Sequence, residues 1–132
     1  MIADSNSNHN LRSYQETSDC RPAVFLDRDG TLIEDVDYLS DPALIRFLPG
    51  AIDALKRLRG NGYACVIVTN QSGVARGMIT HEQLGWIHDE LLGRLREQDT
   101  TLDGIYYCDK PPGGAAEWVI EHEDRKPGPG ML

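Results

Sequence analysis

Residues 23–32 have the sequence AVFLDRDGTL, in which four apolar residues run directly into two aspartates, Asp27 and Asp29. An unbroken apolar run that ends at a carboxylate is typical of a strand buried on both faces of a parallel sheet. Carboxylates at i and i+2 after such a strand converge if the chain turns there, and their repulsion favours a divalent cation. An Asp-x-Asp pair alone is nevertheless more often an acidic turn with Gly30 as the bend.

Strand and helix patterns alternate along the rest of the chain. The second predicted helix begins with a capping box, Thr80 with Gln83. The predicted elements are a strand at 23–26, a helix at 49–60, a strand at 63–68, a helix from 80 to about 97 and a strand at 105–108. This order predicts an α/β, Rossmann-like, doubly wound parallel sheet.

Length and composition limit the classes of protein to consider. The 132 residues suffice for one domain, predicted at 21–132, after a Ser/Asn-rich tail at 1–20 that is expected to be disordered. A net charge of −8 argues against a nucleic-acid partner. The chain has no apolar run that could span a membrane and no signal-peptide core, so we expect a cytoplasmic protein with no membrane partner. No pattern indicates an oligomeric state.

Polar residues follow the first two predicted strands, Asp27 after the first and Thr69-Asn70 after the second. The carboxyl ends of parallel strands lie at one edge of the sheet, where such folds bind ligands. A binding site is therefore predicted at this edge. The alternative for Thr69-Asn70 is a cap on the following turn.

Three motifs together resemble those of the haloacid-dehalogenase-like phosphatases. They are FLDRDGTL at 25–32, VTNQSGVARG at 68–77 and RKP at 125–127, in the order that the family uses. The combination, with GPGM after it, is similar to the D,D-heptose 1,7-bisphosphate phosphatases and the related histidinol-phosphatase domains. The resemblance covers about residues 22–132 and implies a capless fold and a small phosphorylated metabolite as substrate.

The resemblance also implies catalytic roles. Asp27 would be the nucleophile that forms an aspartyl-phosphate, and Asp29 would be the general acid and then the general base. Mg²⁺ would be held by the Asp27 carboxylate and the Asp29 main-chain carbonyl. Thr69 and Lys126 would hold the transferring phosphoryl oxygens, although Lys126 with Arg125 could instead be a solvated basic pair.

Further residues are implied to contact the rest of the substrate. They are Arg28, Asp35, Asp37, Tyr38, Asn70, Gln71, Ser72, Arg76 and Arg125. Arg76 is assigned either to the substrate or to solvent, because it lies in a glycine-rich loop. His88 has no ligand partner at a useful spacing on its helix and is predicted at the surface.

Many of the heptose-bisphosphate phosphatases that the chain resembles carry a zinc loop before the lysine motif. The corresponding positions here are Cys108, Lys110, His122 and Asp124, and lysine is not a zinc ligand. We therefore expect no zinc. The remaining alternative is a weak site formed by Cys108, His122, Asp124 and water.

The family's fourth motif, Gly-Asp-x-x-x-Asp, completes its magnesium shell and has no counterpart here. The sequence ends six residues after Lys126. We therefore expect a C-terminally truncated copy that lacks strands beside residues 23–26, which would leave an exposed apolar edge.

These observations lead to an expected function with alternatives. The first is a Mg²⁺-dependent phosphomonoesterase most like D-glycero-D-manno-heptose 1,7-bisphosphate 7-phosphatase. Histidinol-phosphate phosphatase is the alternative within the same chemistry. A phosphatase of polynucleotide 3′ ends shares the second motif but is disfavoured by the net charge. A non-catalytic remnant that binds a partner through its open sheet edge is the alternative from another class.

Overall fold

The computed structural model describes residues 20–110, 124–126 and 128–132. Its elements are β1 (Ala23–Leu26), a 3₁₀ helix (Pro42–Leu44), α1 (Ala51–Gly60), β2 (Ala64–Asn70), α2 (His81–Glu97) and β3 (Gly104–Cys108). This confirms the predicted α/β class and the order of the elements. The predicted tail at 1–20, except Cys20, and most of the loop before Asp124 lie outside the described residues.

The three strands form one parallel sheet in the order β1-β2-β3. Leu26 pairs with Ile67, and Asn70 pairs with Cys108. The carboxyl ends of all three strands therefore lie at the same edge, as the sequence predicts. Strand β2 continues two residues beyond its predicted end, so Thr69 and Asn70 belong to the strand itself.

Both helices start where the sequence indicates. Gly50 precedes α1 with φ of 79°, a left-handed conformation that glycine adopts without strain. At the start of α2, the Thr80 side chain accepts from the Gln83 N–H while the Gln83 side chain accepts from the Thr80 N–H. This is the predicted capping box, which satisfies two N–H groups that lack helical partners.

One face of the sheet packs against both helices. Cys65 and Ile67 of β2 belong to the same buried cluster as Leu55 of α1 and Leu91 of α2. Cys65 is fully buried, as expected for a small apolar side chain in a strand. The apolar stripe of α2 thus serves as core, which fixes the helix against the sheet.

The prediction that residues 23–26 are buried on both faces is wrong. Phe25 is 51% exposed, and Tyr106 on β3 is 55% exposed. Both lie on the face opposite the helices, because side chains alternate along a strand. In the part of the chain that the structure describes, β1 is an edge strand. This agrees with the apolar edge expected from the sequence.

Asp103 joins the amino ends of the strands. Its carboxylate accepts from the main-chain N–H of Cys65 at 2.7 Å and from the side chains of Arg21 and Arg59. Burial acts to raise the pKa of Asp103, but these hydrogen bonds outweigh it and leave the pKa below its usual value. Asp103 is thus structural and lies at the end of the sheet opposite Asp27.

None of the helices described is long and apolar enough to cross a lipid bilayer.

Candidate active site

A tight turn follows β1. The carbonyl of Arg28 accepts from the N–H groups of Leu32 and Ile33 at 3.0 and 3.1 Å, and Gly30 has φ of 77°. The turn points successive side chains in different directions. The side chain of Asp29 is 23% exposed, that of Arg28 only 1%, and that of Asp27 46%.

Asp27 faces the lysine of the third motif. The Lys126 Nζ lies 3.2 Å from Asp27 Oδ1, which also accepts from the Arg28 N–H at 2.9 Å. Asp27 and Lys126 line a largely apolar cavity of about 550 Å³ beside the open face of the sheet. The structure thus brings together two residues that the motifs assign to one site.

Asn70 holds Lys126 through its main chain. The Asn70 Oδ1 accepts from the Lys126 N–H at 2.9 Å, and its Nδ2 donates to the Lys126 carbonyl at 3.2 Å. The side-chain amide of Asn70 thus makes the same two kinds of hydrogen bond to Lys126 that the main chain of a neighbouring strand would make. The sequence predicts that Asn70 contacts substrate, whereas here its side chain is used to position Lys126.

Arg28 is also predicted to contact substrate, and in the structure its side chain is bonded within the protein. Its guanidinium is buried, and Nε and Nη2 donate to the two carboxylate oxygens of Asp29, both at 2.9 Å. Nη2 also donates to Gln71 Oε1 at 3.1 Å. The buried guanidinium of Arg28 therefore holds the Asp29 carboxylate from the protein interior.

His88 is not at the surface, contrary to the prediction. It is 9% exposed, and its Nε2 lies 3.2 Å from Arg28 Nη1. Its ring packs at a tilt against Tyr107, with the centroids 5.9 Å apart. The sequence does contain a signal for this burial, because residue 88 is four positions after Leu84 and three before Leu91 in the buried stripe of the helix.

Burial, followed by the charge of Arg28, lowers the pKa of His88 from 6.5 to about 4. The folded protein therefore takes up this proton at lower pH than the unfolded chain does. The contribution of His88 to stability is complete above pH 6.5 and is lost as the pH falls from 6.5 to about 4.

We predict that wild-type protein loses about 3 kcal/mol more unfolding free energy between pH 7 and pH 4 than His88→Gln does. Urea unfolding at several pH values measures this difference. Equal losses in the two proteins would show that His88 does not titrate in this way.

The predicted substrate residues lie around a second, more polar pocket of about 240 Å³. Its polar lining consists of Arg28, Asp29, Asp35, Asp37, Tyr38, Asn70, Gln71 and Ser72. Tyr38 reaches this pocket from the segment before the 3₁₀ helix and packs on Gly73. A Cβ at Gly73 would approach Tyr38 Cδ1 to 2.7 Å, so only glycine allows this contact.

The remaining predicted residues are placed differently. Thr69 is 1% exposed, and its hydroxyl accepts from Gln71 Nε2 at 2.9 Å. Gln71 Nε2 also donates to Asp29 Oδ2 at 3.0 Å, so it links the two. Arg76 is exposed and does not line the pocket. Arg125 donates to the Lys110 carbonyl at 3.4 Å.

Residues 24–85 match the model of the haloacid dehalogenase-like hydrolases. The chain is similar to this family along that stretch. It is 46% identical over 112 residues to a D-glycero-β-D-manno-heptose-1,7-bisphosphate 7-phosphatase from Salmonella typhi, covering 84% of this chain and 60% of the relative. The Haemophilus influenzae protein of the same name is 46% identical over 110 residues, which are 83% of this chain and 60% of that protein.

A solved structure agrees with these relatives. The D,D-heptose 1,7-bisphosphate phosphatase of B. bronchiseptica, crystallised with magnesium and phosphate, superposes with a TM-score of 0.71 at 34% identity. The match covers 83% of this chain and 59% of that one. The chain thus spans about 60% of the length of the curated relatives it matches.

The described residues of the chain fit a magnesium ion. The Asp27 carboxylate is a hard oxygen donor that remains 46% exposed, and the main-chain oxygen of Asp29 lies two residues away in the same turn. Mg²⁺ prefers oxygen ligands and retains several waters beside one or two carboxylates and a substrate phosphate. A small set of protein oxygens at an open strand end is compatible with that preference.

The prediction that the chain binds no zinc concerns a different set of residues. Within residues 20–110, 124–126 and 128–132, no group of three or more His, Cys, Asp or Glu side chains could hold a metal. Cys108 is buried, with 2% exposure. His122 lies outside the described residues, so the expectation that zinc is not bound stays a prediction.

Proposed function

We propose that this chain carries the nucleophile-bearing part of a magnesium-dependent phosphomonoesterase that acts through an aspartyl-phosphate. The observation that carries the proposal is the 3.2 Å contact between Lys126 Nζ and Asp27 Oδ1. It pairs a carboxylate at the end of a parallel strand with a cation able to neutralise phosphoryl oxygens. The named relatives supply the substrate class, a sugar bisphosphate cleaved at its 7-phosphate.

The chemistry proceeds in two displacements. A carboxylate oxygen of Asp27 attacks phosphorus, and the bond from phosphorus to the ester oxygen breaks while Asp29 supplies a proton to the departing alkoxide. Asp29 then removes a proton from water, which attacks the same phosphorus and releases inorganic phosphate and the Asp27 carboxylate. Lys126 neutralises phosphoryl charge in both steps.

A magnesium ion held by Asp27 and the Asp29 carbonyl would supply further neutralisation of the phosphoryl oxygens.

Histidinol phosphate is a second candidate substrate. The polar pocket contains Asp29, Asp35 and Asp37. Asp35 and Asp37 are exposed carboxylates that would attract the ammonium group of an amino alcohol. The similarity to relatives favours the heptose bisphosphate, whereas this local charge favours histidinol phosphate.

The two substrates can be compared directly. We expect Mg²⁺-dependent phosphate release from D-glycero-β-D-manno-heptose 1,7-bisphosphate, with a higher kcat/KM than for histidinol phosphate and none with EDTA present. A higher kcat/KM for histidinol phosphate would reverse the choice of substrate. Absence of release from either, by this chain and by any longer protein that carries it, would favour the non-catalytic binding module.

A further inference from the structure

A buried hydrogen-bonded chain connects α2 to the proposed acid/base. It runs from the His88 ring to the Arg28 guanidinium at 3.2 Å, and from Arg28 to both carboxylate oxygens of Asp29 at 2.9 Å. His88 and Arg28 are 9% and 1% exposed. The motif resemblance assigns no role to His88.

The chemistry of the donors fixes the direction of the first bond. A guanidinium has only N–H donors, so His88 Nε2 must accept. The proton of the neutral ring is then on Nδ1. The lowered pKa of His88 agrees with a neutral ring beside a permanent cation.

The ring is held from a second side. Tyr107 of β3 packs against it with centroids 5.9 Å apart. His88 therefore cannot turn away without breaking a contact with the sheet. A rigid acceptor at this place fixes the rotation of the guanidinium, whose planar donors hold the carboxylate in one orientation.

We propose that His88 is a positioning residue for the acid/base step, because it holds Arg28 and Arg28 holds the Asp29 carboxylate. This inference rests on the proposed function. It assigns His88 an effect on proton transfer beyond its contribution to stability. A carboxyl that can rotate protonates the leaving oxygen less efficiently, since general acid catalysis depends on geometry.

Substrates whose leaving groups differ in basicity can separate an effect of His88 on proton transfer from its effect on stability. An alkoxide needs a proton in order to leave, whereas p-nitrophenolate leaves without one. The constant kcat/KM covers the steps up to departure of the leaving group. Loss of positioning should therefore lower kcat/KM for an alkyl phosphate and spare p-nitrophenyl phosphate, while general damage to the fold would lower both.

Three variants make the test. His88→Leu should lower kcat/KM for β-glycerophosphate about tenfold and that for p-nitrophenyl phosphate less than about twofold, a fraction of the full effect of an acid. His88→Gln retains an acceptor and should restore most of the loss. Glu82→Gln, at an exposed position of the same helix, should leave the ratio of the two constants unchanged.

An equal loss on both substrates in His88→Leu would overturn the inference and leave the proposed phosphatase intact. Absence of activity on both of these phosphates and on the heptose bisphosphate, in this chain and in any longer protein that carries it, would overturn the proposed function, and with it the role in proton transfer. Long-range ¹H–¹⁵N NMR gives a readout that does not depend on turnover. We expect an unprotonated Nε2 in His88, and a proton on Nε2 would refute the hydrogen-bonded chain itself.

Discussion

Asp27→Asn is expected to lower phosphatase turnover by on the order of 10⁴-fold or more, in this chain or in any longer protein that carries it. The amide is a poor nucleophile toward phosphorus, so the aspartyl-phosphate does not form. Phosphate release measures the turnover. Intact-mass spectrometry of acid-quenched protein measures the covalent phosphoryl group, which should be present in the wild type and absent in the variant.

A matched control separates chemistry from charge. Asp53→Asn removes a carboxylate from the exposed first turn of α1, away from the strand ends. It should keep turnover and lose at most a few tenths of a kcal/mol of helix stability. Unchanged turnover in Asp27→Asn would refute the assignment of the nucleophile, and equal losses in both variants would point to a general effect of net charge.

Arg28→Ala should lower the free energy of unfolding by about 3 kcal/mol, because it removes one partner of a buried ion pair. The estimate is at the low end for such pairs, since the Asp29 side chain is 23% exposed and keeps some contact with water. Gln71 and His88 would each lose a hydrogen-bond partner as well. Thermal unfolding should show a fall in Tm of roughly 10 °C.

Two further arginine variants test the reason for this loss. Arg28→Lys keeps the charge but cannot bind both Asp29 oxygens with a planar fork, so an intermediate loss is expected. Arg57→Ala, on the exposed face of α1, should change stability by less than about 0.5 kcal/mol. If Arg28→Ala were as mild as Arg57→Ala, the buried network would not stabilise the fold.

The sequence predicted the elements well because their signals are local. The capping box at Thr80 and the apolar stripe of α2 depend on neighbours within a few residues, and both are found where expected. The apolar run at 23–26 was assigned correctly as a strand but wrongly as buried on both faces. An apolar run shows what a strand can bury, whereas its exposure depends on which elements pack against it.

The sequence predicted only part of the site. The contact of Asp27 with Lys126 follows from the resemblance, which assigns both residues to one site. The direction in which the Arg28 side chain points does not follow from the sequence, because adjacent residues in a tight turn can face opposite sides. Spacing along the helix does not reveal the partner of His88, because Arg28 is 60 positions away in the chain.

The Asn70 bonds to Lys126 also bear on the order of folding. They join residues separated by 56 positions, whereas the strand pairs and both helices form from shorter segments. Formation of the sheet with its helices buries an apolar core, whereas these two bonds join polar groups that are only partly buried. The sheet should therefore assemble first, and the lysine should dock last. In a refolding experiment, the amides of β2 should gain protection from exchange before Lys126 reaches Asp27.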